Sequence, residues 1–492
     1  MQEVFEFIIA PLTVAGVIAF FAWKKWPELF RRNDAQAWTG AAGTHFTVLV
    51  ADLQDDDAGL QTKHIISSLK RQFGAHQPNT GFHVAELGQK LSTSSVGLLH
   101  ERDAAAEQKG RDWLREKSAH LLIWGSVAEA QKVIRLRFLP IEGDGHSETG
   151  YSLTEILELP LNFKDDLSTV LLAYVLGQAK PAFDANEPLL PILQPLLLPL
   201  QNLVSDGRQN LGDHKWAELC NAAATVFARI GEQSGDPSYL QKAHSTYQEA
   251  LKVCTPEDMP AQWAMTQNNL SSLLTSLGER TDGAAGLDYL KSSEISHRKL
   301  LRVRTQNEMP AQWAMTQNNL ANVLGKLGER TQGTAGQDYL VSAKKSYRKA
   351  LKVYTKNDLP VDWAMTQNNL GAVLGTLGSR AEGEVGLKYL KSSESAFREA
   401  LKVRSQTNMP VQWATTQNNI GNTLCKLGER AEFTAGQDYF KSSEIAYREA
   451  LRVYTQKDMP AHWSTTQNNL GIVLSNMGER AEGEAVLTFQ II

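Results

Sequence analysis

Along the C-terminal half of the chain, apolar residues fall at helical intervals, and the same pattern returns every 50 positions. In the unit opening at Met309-Pro310, Trp313, Leu320, Leu324 and Leu327 form one apolar stripe. After a polar stretch, Tyr339, Leu340, Ala343, Tyr347, Ala350 and Leu351 form a second. Steps of three and four residues predict an amphipathic helix for each stripe. Pro310 suits a first helical turn, where its fixed φ is pre-organised. Gly328 reads as a left-handed cap ending that helix. Glu329–Gly336 reads as a polar loop, and about Asp338 to Tyr354 as the second helix. Pro260, Pro360, Pro410 and Pro460 stand in register, each three residues ahead of Trp263, Trp363, Trp413 or Trp463, and a TQNN string follows each Trp. A fixed period of this size predicts a solenoid whose units bury their apolar faces against their neighbours.

The pattern upstream is different. Phe46–Ala51 is a β-rich apolar run, and Leu60 to Phe73 shows helical spacing through Ile65, Ile66 and Leu69. Phe82–Leu87 reads as a strand and Ala104–Ser118 as a charged helix with Trp113 and Leu114 inward. His120–Val127 and Val133–Ile141 read as strands, Thr154–Leu159 as a further one, and Lys164–Gln178 as a helix. Strands alternating with helices over residues 45–178 predict a small α/β domain. A Pro/Leu-rich join, residues 181–212, follows. Its prolines at 188, 191, 195 and 199 interrupt any long helix. The join reads either as an N-terminal cap on the solenoid or as an exposed apolar recognition strip.

At the N-terminus, Phe7 to Trp23 is apolar apart from Pro11, Thr13 and Gly16, with Lys24, Lys25, Arg31 and Arg32 behind it. Residues 4–26 therefore predict a transmembrane anchor, since ~17–25 residues span a bilayer and basic residues stay on the cytoplasmic side. The expected localisation is a bacterial inner membrane, crossed once, with the bulk of the chain cytoplasmic.

Within the repeats, Leu320, Ala321 and Leu324 on the first helix and Ala343, Tyr347 and Ala350 on the second resemble the tetratricopeptide repeat signature. Corresponding positions hold Ser293, His297 and Leu300; Ser393, Phe397 and Ala400; Ser443, Tyr447 and Ala450. A diverged copy shows in Trp216, Ala223, Phe227, Gly231, Ala243, Tyr247 and Ala250. The doubled Asn followed by Leu and a small residue is most similar to the kinesin-light-chain-like branch. The period exceeds the family's usual ~34 residues, and the excess is expected in the inter-helix loop and in the lead-in. The resemblance implies a right-handed α-solenoid over residues 213–492, with the first helix of each pair lining a concave groove. The last unit stops before its second helix, leaving Trp463, Leu470 and Leu474 partly covered, as though another chain covered them or the sequence were truncated. The stretch from Ala119 to Gly143, with its Gly125-Ser126-Val127 turn and alternating hairpin, resembles the TolB amino-terminal domain. That resemblance implies a non-catalytic module.

Composition adds limits. The 492 residues exceed one core. A net charge of −4 gives no basic footprint for nucleic acid. Cys220, Cys254 and Cys425 lie too far apart in sequence for a metal pattern. The Asp55-Asp56-Asp57 loop could hold Mg²⁺, but a solvated loop explains it as well without a phosphate loop nearby. Gly143, Gly145 and Gly150 lack nucleotide-fingerprint spacing. His83, His100 and His120 have no ligand-spaced partners. No catalytic, cofactor or metal residue is therefore expected.

The binding candidates are the Asn pairs Asn268-Asn269, Asn318-Asn319, Asn368-Asn369, Asn418-Asn419 and Asn468-Asn469. A carboxamide donates and accepts, so such a ladder can hold an extended peptide backbone. It can equally bond the neighbouring helix and fix register. Arg280, Arg330, Arg380, Arg430 and Arg480 read as dipole partners or loop ion pairs rather than anion sites. The function these features predict is a membrane-anchored scaffold whose groove binds proteins or peptides, with self-association through the open C-terminal end as a further possibility. The alternative is a signalling or nucleotide-dependent enzyme with its site in the α/β domain.

Overall fold

The computed structural model describes residues 46–76, 82–91, 99–140, 157–163, 165–178, 197–206 and 208–491. Five strands form one sheet in the order β2-β1-β3-β4-β5. They are β1 (Phe46–Asp52), β2 (Phe82–Lys90), β3 (Leu121–Ala128), β4 (Val133–Pro140) and β5 (Leu157–Pro160). β1 lies between β2 and β3 and runs parallel to both, while β3-β4 and β4-β5 are antiparallel. The near-continuous apolar run of β1 follows from burial on both faces. Val48 and Val50 face Ile65 and Leu69 of α1 (Leu60–His76), whereas Leu49 and Ala51 face Trp113 and Leu114 of α2 (Leu99–Glu116).

α3 (Asp165–Gln178) joins the module to the repeats. Its Leu171, Tyr174 and Val175 share one buried cluster with Ile123 of the sheet and with Leu219, Ala223 and Phe227 of α5 (Arg208–Ser234). Within the join, α4 (Leu197–Asp206) buries Leu200 in the same cluster, and Trp216 Nε1 donates to Val204 O at 3.0 Å. Leu198 on the same helix is exposed.

Helix pairs make up the rest. The pairs after α5 and α6 (Pro237–Val253) are α7 (Pro260–Arg280) with α8 (Gly283–Val303), α9 (Pro310–Arg330) with α10 (Gly333–Ala350), α11 (Pro360–Arg380) with α12 (Gly383–Leu401), and α13 (Pro410–Arg430) with α14 (Phe433–Leu451). α15 (Pro460–Ile491) packs on α14, burying Leu470 and Val473 while Ile472 and Leu474 stay exposed. Between units the chain makes a fixed turn. Thr355 Oγ1 accepts from Asp358 N at 3.1 Å and donates to the Asp358 carboxylate at 2.6 Å. Thr255-Asp258, Thr305-Glu308 and Thr455-Asp458 repeat this exchange. The proline at N1 of the next helix follows two residues later, so a short sequence sets the angle of each new unit.

Two expectations change here. Gly328 does not end its helix: α9 continues to Arg330, and only Thr331 and Gln332 separate it from α10. A Cβ at Gly328 would lie 2.6 Å from Leu340 Cγ, so this glycine is a close-packing site where the two helices cross. The left-handed conformation falls instead on Gly333, with φ 69°. The inter-helix loop is therefore short, and the extra length lies in long helices and in the lead-in between units, residues 351–359 before α11.

The second correction concerns the membrane. Among the described residues no helix is long and apolar enough to cross a membrane, so the expected single-pass localisation with a cytoplasmic bulk is withdrawn. α3 is apolar but has 14 residues, short of the ~17–25 required. α15 has 32 residues but carries His462, Asn468, Asn469, Glu479 and Arg480 along its length. The segment 4–26 on which the expectation rested lies outside the described residues.

Candidate functional site: a polar groove on the first helices

The Asn pairs sit where consecutive first helices meet. Thr366 Oγ1 donates to Asn318 Oδ1, Thr416 Oγ1 to Asn368 Oδ1, and Thr466 Oγ1 to Asn418 Oδ1, each at 3.1 Å. The second Asn reaches back by one unit. Asn269 Nδ2 donates to Asn221 Oδ1 at 3.1 Å, Asn369 to Asn322 at 3.3 Å, Asn419 to Asn368 at 3.5 Å and Asn469 to Asn422 at 3.1 Å. Asn268, Asn269, Asn318 and Asn368 are buried. Asn319, Asn369, Asn418, Asn419 and Asn469 are half-buried, and Asn468 is exposed. The same dipeptide thus mixes inter-unit bonding with partial access from outside.

That access opens onto a groove of about 710 Å³ running across α7, α9, α11 and the start of α13. Its wall includes Ser272, Thr275, Asn319, Asn322, Lys326 and Asn369. Lys326 pairs with Glu279 of the preceding unit at 3.2 Å. The groove's hydroxyls and carboxamides, groups able to donate and accept, stand among charges of both signs, with Glu232, Arg280, Glu329 and Arg404 also in the lining.

The recurring arginines bond backward too. Arg430 donates to the carbonyls of Gly378, Ser379 and Ala381 at 2.7, 3.0 and 2.9 Å. Arg330 does the same with Gly278, Glu279 and Thr281, and Arg480 with Gly428, Glu429 and Ala431. Each guanidinium caps the C-terminus of the previous unit's first helix, satisfying carbonyls the helix leaves open. It is a staple between neighbours.

In the α/β module the singled-out residues have structural partners. Asp56 Oδ2 accepts from Thr62 N at 2.8 Å and Thr62 Oγ1 at 2.9 Å, capping α1. Burial pushes the Asp56 carboxyl up, yet the bonds from Thr62, Gln61 and Leu60 outweigh it and hold the group below its ordinary value. A carboxylate depressed on folding adds stability above its unfolded pKa, and the addition is lost as pH falls through the folded value. Asp56→Ala should therefore cost about 1 kcal/mol at pH 7. In urea denaturation followed at pH 7 and pH 3, the difference between the two proteins should shrink at pH 3. His120 Nδ1 accepts from Thr47 N at 3.0 Å, and burial holds that imidazole below its usual pKa. His83 is exposed. The side chain of His100 and residues 141–156, with Gly143, Gly145 and Gly150, lie outside the described parts. All three cysteines are buried, and burial pushes the thiols up, to about 11 for Cys254 and about 12 for Cys425. Among the described residues no group of three or more His, Cys, Asp or Glu gathers as a metal site.

Sequence reasoning missed the positions 272/322/372/422 and read 297/347/397/447 only as packing positions of the repeat; the structure brings the two sets together. Tyr347 OH donates to Asn322 Oδ1, and Tyr447 OH to Asn422 Oδ1 at 2.6 Å. Their signal was variation: these positions change while the TQNN string beside them does not.

Taken together, the short turns, the small residues at the helix crossings and the Tyr between helices define a tandem array of tetratricopeptide-like helix pairs behind a small α/β module. No family model matches the chain, and no curated protein does. Among solved structures it is similar to BtubC (BKLC) from P. vanneervenii, at 15% identity over 53% of this chain and 90% of that one, with a TM-score of 0.34. It is also similar to a circular tandem repeat protein with novel repeat topology and enhanced subunit contact surfaces (12% identity, 66% and 85% covered, TM-score 0.28). A third is the C-terminal part of a TPR repeat-containing protein from Cytophaga hutchinsonii (8% identity, 52% and 95% covered, TM-score 0.21). The repeat assignment rests on the helix pairs themselves. The TolB resemblance finds no support in these comparisons.

Proposed function

We propose that the array is a protein-interaction scaffold and that its groove holds an extended segment of a partner. The observation that carries this reading is the continuous polar wall contributed by successive first helices, with Asn319, Asn322 and Asn369 accessible from it. An extended peptide presents its backbone N–H and C=O in a regular row, and carboxamides at repeating positions can satisfy both without reading side chains. Regular spacing suits a regular backbone.

The test uses the full chain. Asn319→Ala with Asn369→Ala should lower capture of binding peptides from a displayed library of extended segments by about tenfold or more, because hydrogen bonds at a binding surface are lost. Helix content should hold and melting should fall only by the share of the one long inter-unit bond of Asn369 to Asn322, at 3.3 Å, since both residues are half-buried. Undiminished capture by the double variant overturns the groove reading.

A further inference from the structure

The second helices carry a recurring set of ion pairs on their outer faces. Glu294 pairs with Arg298 on α8 at 2.9 Å, Glu394 with Arg398 on α12 at 2.8 Å, and Glu444 with Arg448 on α14 at 2.8 Å. A second set lies about one turn further on. There Glu249 pairs with Lys252 at 2.5 Å, Glu399 with Lys402 at 2.6 Å, and Glu449 with Arg452 at 3.0 Å. α8 breaks the second set and α10 breaks both. Lys299 and Lys349 stand where the other units have Glu249, Glu399 and Glu449, and Lys344 stands where they have Glu294, Glu394 and Glu444. The basic partners Arg302, Arg348 and Lys352 are kept.

The result is a strip of one sign. Lys299, Arg302, Lys345, Arg348, Lys349 and Lys352 are exposed, and among the described residues none of them forms an ion pair. Half-buried Lys344 donates to Tyr389 OH of α12 at 3.4 Å and stands 4.9 Å over its ring. That contact and the bond from Gln241 to Tyr289 offset neighbouring second helices by 45 and 48 positions. The same offset sets Lys299 level with Lys344 and Arg302 level with Arg348, so the strip runs from α8 onto α10. Asp338, the single acidic residue of α10, lies toward the other end of that helix. Like charges three and four positions apart destabilise a helix, a cost the sister helices avoid. Beside the strip, between α10 and α12, opens a groove of about 750 Å³. Leu370 and Leu374 of α11 line it, with Arg348 on one side and Lys388 and Lys391 on the other. Glu384 and Glu399 line it too, and Glu399 is engaged by Lys402.

We propose that this outer strip docks an acidic segment of a partner protein, with an apolar side chain of that segment entering the groove between α10 and α12. The surface is separate from the groove of the first helices and does not depend on it. Carboxylates of the segment give Arg302, Arg348 and Lys352 what Glu residues give their counterparts in the sister helices. The chain as a whole is at −4, so the positive charge is local to this face. The recess selects among anions. A bilayer surface cannot enter a cleft between helices, and a phosphate backbone gains nothing from Leu370 and Leu374. A peptide brings both the charge and the apolar anchor.

The experiment titrates the full-length protein into a fluorescent helix-forming peptide of about 18 residues, built from Glu and Leu on separate faces, and follows anisotropy. Binding is expected, weakening about tenfold between about 50 and about 300 mM salt. Lys299→Glu, Lys344→Glu and Lys349→Glu combined install the acids that sister units hold and give Arg302, Arg348 and Lys352 their pairs. This strip variant should bind the peptide about tenfold more weakly, or worse, while its melting temperature holds or rises. Lys63→Glu, Lys70→Glu and Lys457→Glu, at exposed positions elsewhere, change the net charge equally and should bind as the unmodified chain does. The same peptide with Ser for Leu should bind about threefold or more weakly. No binding of the acidic peptide overturns the proposal, and so does equal binding by the strip variant. An equal loss in the remote variant also overturns it, because net charge alone then accounts for the binding. An unaffected Ser peptide overturns the seating in the groove. Tighter binding of single-stranded DNA or of phosphatidylserine vesicles, lost in the strip variant, overturns the choice of a protein segment.

Discussion

Gly336→Ala should destabilise the array by about 2.5–4.5 kcal/mol and make its urea transition less cooperative. A Cβ at this position would meet the carbonyl oxygen of Thr331 at 1.9 Å and Arg380 Nη1 at 3.0 Å. The first obstacle is backbone, which cannot rotate aside as a side-chain tip can. The short link between α9 and α10 would have to open, and overpacking of this kind costs about 1–3 kcal/mol. The same link carries the staple to the next unit, where Arg380 donates to Glu329 O at 3.1 Å and Thr331 O at 3.4 Å. Losing bonds from a charged donor adds about 1.5–3 kcal/mol, toward the lower end because Arg380 is exposed. In a solenoid the lost term is coupling between neighbours, so units on either side should begin to unfold separately. Gly325→Ala is the control. Its Cβ would meet nothing closer than Val373 Cγ2 at 3.4 Å, and alanine in a helix interior is favoured over glycine by up to ~1 kcal/mol. A Gly336→Ala midpoint equal to that of the unmodified chain would sink the account.

The second large effect is expected from Asn318→Ala, Asn368→Ala and Asn418→Ala combined, which should lower stability by about 3 kcal/mol, at about 1 kcal/mol for each lost bond. All three carbonyl oxygens accept from a threonine hydroxyl of the next unit. Those hydroxyls belong to Thr366, Thr416 and Thr466, all buried, so water cannot freely replace the lost acceptor. Thr416 keeps a second acceptor in Gln412 O at 2.8 Å, which tempers its share. Thermal melting by circular dichroism should fall by several degrees. The accessible pair Asn319 and Asn369 should show the opposite profile, with weak effects on melting and a strong one on capture. An unchanged melt of the triple variant would remove the register role from the first Asn of each pair.

Much of the architecture was legible because its causes are local. Helical stripes such as Trp313, Leu320, Leu324 and Leu327 record which face is buried, whatever buries it. Pro310 and its copies mark helix starts for a reason internal to the residue. The strands of the small module were legible for the same reason, their runs being apolar and β-rich. Gly328 misled because the sequence shows that a glycine is required without showing why. A left-handed φ and a close helix crossing both ask for a missing Cβ. The anchor expectation was drawn from residues 4–26 alone, and no described helix supports the membrane placement built on it.

Long-range pairing was not legible. Arg430 bonds carbonyls about 50 positions earlier rather than those of its own helix, and Asn369 and Thr366 each choose partners in the preceding unit. Identical strings therefore end with different accessibilities, from buried Asn268 to exposed Asn468. By itself the sequence determined the period, the helix pairs and the apolar faces, since hydrophobic spacing and backbone propensity act within a few residues. Tertiary structure alone decided which Asn is buried against the next unit and which is left accessible along the groove. Those outcomes depend on how one unit stacks on the next, and stacking brings together groups that no local pattern relates.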